Sequence, residues 1–296
     1  MSEEKCSLCP RRCKVNRSEK RCDCGVGSGI TVARAALHMW EEPCISGERG
    51  SGTIFFSGCS LGCVFCQNIQ ISRGGAGVEI SEQRLRQICF ELKDKGAHNI
   101  NLVTPSHFAD KIRSALLPIK EELGLPIVCN TGGYDSPEIL ECFNGLVDIY
   151  LPDYKYGLEE TANRLSRAND YPSVAIKALK MMHEQVGEPQ FDEMGMMKKG
   201  MIVRHLCLPG ERKSSIAAIK TLGENFSKDS ILLSLMRQYT PISGMEGALA
   251  RRLTSFEYES VKKAAQEYGF EGYYQSSESA SDSYIPSFDL TGTQKE

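Results

Sequence analysis

The chain lacks any apolar run approaching the roughly 20 residues that a membrane span needs. Its first residues, Met1-Ser2-Glu3-Glu4-Lys5, lack the apolar core of a secretory signal. Charge of one sign is missing too. Thirty-five Lys and Arg stand against 38 Asp and Glu, a net charge of −3, which gives no polyanion signal. No internal repeat is evident. These absences lead us to expect a cytoplasmic protein with neither nucleic acid nor membrane as a partner.

Cysteine, by contrast, is abundant. The 296 residues include 13 cysteines, and eight of them fall in two clusters, Cys6, Cys9, Cys13, Cys22, Cys24 and Cys59, Cys63, Cys66. In a reducing compartment, clustered cysteines argue for metal rather than disulfides. Cys44, Cys89, Cys129, Cys142 and Cys207 are scattered, mostly in apolar runs. They read as small buried hydrophobes. A chain of this length and 41% apolar content can bury a full core, as one large domain or a domain plus a small module.

The second cluster is the more specific. Cys59-Ser60-Leu61-Gly62-Cys63-Val64-Phe65-Cys66 is a C-x3-C-x2-C triplet with no obvious fourth ligand, since the next cysteine is Cys89. A structural zinc site wants four ligands and no open position. The bacterial ferredoxin run is C-x2-C-x2-C-x3-C followed by proline, which this is not. Three thiolates hold three corners of a cubane iron–sulfur cluster and leave one iron open.

Strand-like and helix-like patterns alternate around the triplet. Strands are expected at Thr53–Ser57, Asn99–Thr104, Pro126–Asn130, Leu146–Leu151, Met201–Leu208 and Ser230–Met236. Helical spacing follows at 81–95, from Phe108 to Ile119, at 136–144, about 159–187, 213–225 and 254–268, with Gly269 ending the last. Six βα units call for an α/β fold with a parallel sheet covered by helices. Periodicity leaves an open doubly wound sheet and a barrel equally allowed. The polar, Ser-rich stretch 276–296 reads as a flexible tail.

The triplet, with an aromatic before its last cysteine, closely resembles the signature of the radical S-adenosylmethionine (radical SAM) superfamily. That resemblance implies a partial (β/α)6 barrel of the TIM type, with the cluster loop directly after the first strand. The organisation expected is then a Cys-rich metal-binding module at 1–45, a radical SAM core at 46–275 and the tail. The resemblance also implies that Cys59, Cys63 and Cys66 ligate a [4Fe–4S] cluster whose fourth iron chelates S-adenosyl-L-methionine (SAM). Reductive cleavage of SAM would release a 5′-deoxyadenosyl radical that abstracts hydrogen from substrate. Phe65 would pack near the adenine, or serve as an ordinary core aromatic.

Finer motifs resemble pyruvate formate-lyase activating enzymes, and within them an uncharacterised branch of activase-like iron–sulfur proteins. Asn130-Thr131-Gly132-Gly133-Tyr134 resembles a strand-end SAM contact, with neutral Asn130 where those enzymes commonly have an acid. The glycines suit a tight turn equally well. Asp153-Tyr154-Lys155 resembles their Asp-x-Lys, so Lys155 would neutralise the methionyl carboxylate and Asp153 would orient it or a ribose hydroxyl. A surface ion pair is the plain alternative. Val203-Arg204-His205-Leu206-Cys207-Leu208-Pro209-Gly210 resembles the activases' strand ending in Pro-Gly. Alternation sends only one of Arg204 and His205 inward. Gln238 is a further candidate at the sixth strand end.

One departure stands out. Where many relatives carry Gly-Gly-Glu for the SAM amino group, this chain has Leu102-Val103-Thr104-Pro105-Ser106-His107, so Thr104, Ser106 or His107 is the substitute. In the N-terminal module, Cys6, Cys9, Cys13 and Cys24 are the ligand set for zinc or an auxiliary [4Fe–4S] cluster, with Cys22 the alternate. The intervening Arg11, Arg12, Lys14 and Arg17 suit a negative tetrathiolate. The function expected is an activating-enzyme-like oxidoreductase supplied with electrons by a flavodoxin or ferredoxin. Its substrate would be a glycyl backbone of a partner protein, a peptide or a small molecule. The alternative is an iron–sulfur electron carrier or zinc-binding interaction protein without SAM chemistry.

Overall fold

The computed structural model describes residues 5–73, 75–276 and 286–294. Its strands are β1 (Ile30–His38), β2 (Ser51–Phe56), β3 (Val78–Ile80), β4 (Ile100–Val103), β5 (Ile127–Thr131), β6 (Ile149–Pro152), β7 (Gln190–Phe191), β8 (Met197–Leu206), β9 (Leu232–Met236) and β10 (Gly272–Tyr274). They form one sheet in the order β10-β9-β8-β6-β5-β4-β2-β1-β3, with β7 pairing β8. From β2 to β9 the six expected strands lie side by side in chain order, all parallel. That is the order of a partial (β/α)6 barrel. Every residue of β2, β4, β5 and β6 is buried, as strands covered on both faces must be.

Side chains alternate between two layers. Outward residues such as Ile100, Leu102, Ile127, Cys129, Tyr150 and Val203 join the large core beneath the helices. That core also takes Leu85, Ile88, Cys89 and Leu92 from the helix Glu82–Asp94, which Ser81 caps by accepting from the Arg84 amide. The scattered Cys44, Cys89, Cys129 and Cys207 are buried and Cys142 half-buried, as packing cysteines should be.

The expected helical stretch 159–187 is two helices, Glu159–Ser166 and Tyr171–Val186. Arg167 ends the first in a left-handed conformation, and Pro172 opens the second. Proline fits a first helical turn but not an interior, so the chain has to restart there.

Four strands extend the sheet beyond the expected six. β1 pairs antiparallel with β2, and β3 with β1. Residues 30–38, assigned by composition to the N-terminal module, therefore belong to the sheet, and the Cys-rich lobe proper ends before them. The connection from β1 to β2 folds under the barrel. Its Cys44 and Ile45 pack with Val128, Ile149, Leu151, Met197 and Ile202 and close the N-terminal end. Asn99 Nδ2 holds it through the Ile45 carbonyl at 2.8 Å.

The tail expectation fails over residues 286–294, which lie along β1. The Ala35 amide donates to the Thr291 carbonyl at 2.8 Å, and Arg34 pairs with Asp289 at 2.8 Å. Ser-rich composition signalled mobility, but β1 offers a sheet edge whose backbone groups want partners. The rest of that stretch beyond Ser276 lies outside the described residues.

Candidate functional site

Inward-facing side chains turn polar toward the C-terminal strand ends, where active sites of βα barrels are built. There Asn130 on β5, Asp153 after β6, Arg204 on β8 and Ser234 on β9 line a cavity of about 560 Å³. Cys59, Cys63, Cys66, Phe65, Thr104, Lys155 and Gln238 line the same cavity. All of the non-cysteine residues picked out for cofactor contact in the core thus converge on one place.

The triplet sits in the loop directly after β2. Gly58, at φ +91°, starts the turn, and a Cβ there would lie 2.7 Å from the Cys24 carbonyl. That close approach requires glycine. The Cys59 amide donates to the same carbonyl at 3.0 Å, joining the loop to the N-terminal lobe. Ser166 Oγ donates to Cys63 Sγ at 2.9 Å and itself meets Tyr156 Oη at 2.6 Å. Hydrogen bonds of this kind onto a thiolate tune a metal centre. Burial, together with its thiol neighbours Cys63 and Cys66, pushes the Cys59 thiol up to about 12. A cation beside Cys59 would offset that cost and keep its sulfur ionised, which fits a metal cluster.

Opposite the triplet is a buried ion network. Arg204 Nε donates to Asp153 Oδ1 at 2.9 Å, and its terminal nitrogens reach Asn130 Oδ1 at 2.6 Å and Glu41 Oε2 at 3.3 Å. Lys155 Nζ donates to the other oxygen of Asp153. Burial alone would raise the Asp153 carboxyl, but the two cations outweigh it and hold it below the usual carboxylate range. Asp153 and Lys155 are not a surface pair. Gly133, at φ +75°, permits the adjoining turn, since a Cβ would lie 2.2 Å from the Asp153 carbonyl.

Thr104 is the single member of the Thr104, Ser106, His107 trio that lines the cavity. It holds φ +56°, a strained conformation for a β-branched residue. His107 lies behind the cluster loop, its Nε2 2.7 Å from the Ser57 carbonyl, and burial above all lowers it to about 4. His205 faces away from the cavity with Nδ1 2.6 Å from the Tyr154 carbonyl, so Arg204 is the inward residue of that pair. Phe65 both lines the cavity and meets Tyr156 edge-on at 6.4 Å.

Two acidic cavity residues escaped the sequence reading. Glu41 and Glu42 rise from the floor connection between β1 and β2. Glu41 Oε1 accepts from Asn101 Nδ2 at 3.0 Å and Asn130 Nδ2 at 3.2 Å. No motif or periodicity marks Glu41-Glu42-Pro43, because the connection becomes part of the site only once the barrel closes over it.

In the N-terminal lobe, the sulfurs of Cys6, Cys13 and Cys22 lie within 4.8 Å of one another. Cys22, read as the alternate, stands in this group, whereas Cys9 and Cys24 of the expected set stand outside it. Two of the intervening basic residues also bind backbone. Arg11 donates to the carbonyls of Ser60, Leu61, Ser166 and Arg167, and Arg17 to those of Gly27 and His107. Both clamp backbone, and the Arg17 charge also pulls on the Cys24 thiol against its burial.

Comparison with known proteins follows the same line. The Radical SAM superfamily signature matches residues 53–221, more than half of the chain. The chain belongs to the radical SAM superfamily. An uncharacterized protein of Methanocaldococcus jannaschii is 27% identical over 281 residues, covering 91% of this chain and 76% of that one. Among solved structures, Streptococcus suis SuiB bound to S-adenosylmethionine superposes with a TM-score of 0.51 at 14% identity, over 74% of this chain and 48% of that one. HydG, a maturase of the [FeFe]-hydrogenase, gives 0.50 at 13%, over 76% and 52%. This chain spans about half the length of those two structures, and the likeness is one of fold. Radical SAM membership implies a [4Fe–4S] cluster and SAM as cofactors. Among the described residues no helix is long and apolar enough to cross a membrane.

Proposed function

We propose that this radical SAM protein is an enzyme that binds its [4Fe–4S] cluster through Cys59, Cys63 and Cys66 and uses SAM to abstract hydrogen from a substrate held in the cavity. The observation that carries the reading is three thiols and a buried Asp153–Lys155–Arg204 network lining one cavity at the strand ends. When bound and reduced by one electron, the cluster would supply, with methionine as the other product of SAM, a 5′-deoxyadenosyl radical for hydrogen abstraction.

The chain's own residues orient and shield. Lys155, held by Asp153, offers its ammonium to the SAM carboxylate. Thr104 stands where the SAM amino group needs a partner, and its backbone strain is of the sort that sites maintain for function. Phe65 and Leu61 wall the cavity beside the cysteines and exclude water. Asn130 and Gln238 contribute neutral polar edges. Hydrogen abstraction from a glycyl residue of a partner protein, as in activases, is supported by the resemblance of the Asn130–Tyr134, Asp153–Lys155 and Val203–Gly210 segments. A flavodoxin or ferredoxin is the expected electron donor.

The N-terminal lobe holds a second metal centre. A tetrahedral Zn–S shell places sulfurs about 3.8 Å apart. The Cys6, Cys13, Cys22 grouping, within 4.8 Å, suits a single ion of that type. Anaerobically reconstituted, reduced protein should release 5′-deoxyadenosine from SAM, and Cys63→Ala should release none. Equal release by both proteins, or none by the wild type, contradicts the proposal.

A further inference from the structure

The charges around the cavity do not cancel. Three carboxyls, Glu41, Glu42 and Asp153, face two cations, Lys155 and Arg204. Both cations already have acidic partners, Lys155 in Asp153, and Arg204 in Asp153 and Glu41 with Asn130 beside them. Glu41 uses both of its oxygens. Glu42 is different. It is 8% exposed, its carboxyl lies against Ser234, and its Oε2 has no hydrogen-bonding partner among the described residues.

A buried carboxyl oxygen without a donor, on a residue that lines the cavity, is costly to leave unmade. Burial chiefly, and Glu41 after it, pushes the Glu42 carboxyl above its usual range against the pull of Arg204. The nearby walls are aromatic, with His38, Trp40, Tyr273 and Tyr274 lining the same cavity. His38 is itself held neutral, lowered to about 4 by burial and then by Arg34. An acid beside aromatic faces is a setting that suits an organic cation.

Resting on the proposed radical SAM reading, we infer that the substrate carries a primary ammonium group, which Glu42 receives at the cavity floor. A single free oxygen favours a compact ammonium over a guanidinium, which seeks two acceptors at once. A divalent metal is disfavoured because the neighbouring Glu41 carboxylate is already committed to Asn101, Asn130 and Arg204. With its ammonium on Glu42, the substrate would lie in the same cavity as the triplet, so a carbon along its chain can face the radical. The amine is a free small molecule or a lysine side chain of a peptide.

Trp40, the sole tryptophan of the chain, lines the cavity and reports occupancy by its emission. The probes are n-butylammonium and its uncharged counterpart 1-butanol, titrated into cluster-reconstituted, unreduced protein with SAM present. Butylammonium should give a saturable change at least tenfold tighter than butanol, and Glu42→Gln should abolish the difference. Equal affinities, or discrimination unchanged in Glu42→Gln, overturn the inference. If circular dichroism shows that Glu42→Gln does not fold, the wild-type ratio alone decides. An acetyl-capped lysine peptide run in parallel separates the two sources, since tighter binding than butylammonium assigns the site to a side chain. No reductant is used, so failure here leaves the 5′-deoxyadenosine assay of SAM cleavage independent.

Discussion

The chain holds two sets of clustered cysteines, and they are built on different plans. In the N-terminal lobe, Cys6, Cys13 and Cys22 bring their sulfurs within 4.8 Å of one another, away from the main cavity. At the barrel mouth, Cys59, Cys63 and Cys66 form no such grouping among the described residues and instead share a cavity wall with a buried ion network. Close sulfurs suit one ion, and spaced sulfurs facing a cavity leave room for a larger cluster and something bound to it. The lesson is that the arrangement of thiols around space, rather than their number, separates a holding site from a reacting one.

Four variants test that difference, in descending order of effect. On the proposed second metal centre, replacing Cys6 and Cys22 together with alanine should strip the lobe of metal and unfold it, since such binding energy is folding energy. Metal analysis and limited proteolysis should show the lobe lost and the iron at the barrel mouth kept. Simultaneous loss of both metals would mean that the two regions are one unit. Asp153→Asn should be next, because it leaves Lys155 and much of Arg204 uncompensated in the interior. We expect a loss of about 3 kcal/mol in denaturant melts and SAM binding weakened with it.

Arg11→Ala removes the clamp between lobe and cluster loop. A loss of about 2 kcal/mol is expected, and hydrogen exchange should rise at residues 60–62 and 166–167 while the floor at 128 and 149 stays protected. Thr104→Gly is the mildest. It relieves a positive φ worth about 1 kcal/mol, so the melting temperature should rise by about 2 °C even as SAM affinity falls. Lower stability in that variant would show that Thr104 is not strained.

Much of the core was legible in the sequence because it rests on local periodicity. The six parallel strands, their helices and the loop position of the triplet all follow from buried β-branched runs and i, i+3, i+4, i+7 spacing. Lys155, Arg204 and Asp153 could be picked out because their segments resemble activase motifs and stand at strand ends. What escaped lies in pairings between distant segments. β1 reads Ile30-Thr31-Val32-Ala33-Arg34, an ordinary amphipathic run whose partner, β2, is met only after the floor connection. Glu41 and Glu42 look like solvated acids until that connection closes the barrel from below. Residues 286–294 are polar enough to read as tail, yet β1 binds them by backbone, which composition does not register. Cys22 stands in the sulfur grouping with Cys6 and Cys13, a tertiary matter that cysteine spacing does not encode.

The central claim is that Cys59, Cys63 and Cys66 leave one iron of their cluster open to SAM. Electron paramagnetic resonance of the anaerobically reduced protein, recorded with and without SAM, tests it directly. Signals from the lobe, if it carries iron, are removed by using the Cys6→Ala, Cys22→Ala protein as a second sample. Direct ligation predicts that SAM changes the spectrum of the reduced cluster in both samples. A spectrum that SAM leaves unchanged would mean that the fourth iron is closed, and the account of the cavity would fail.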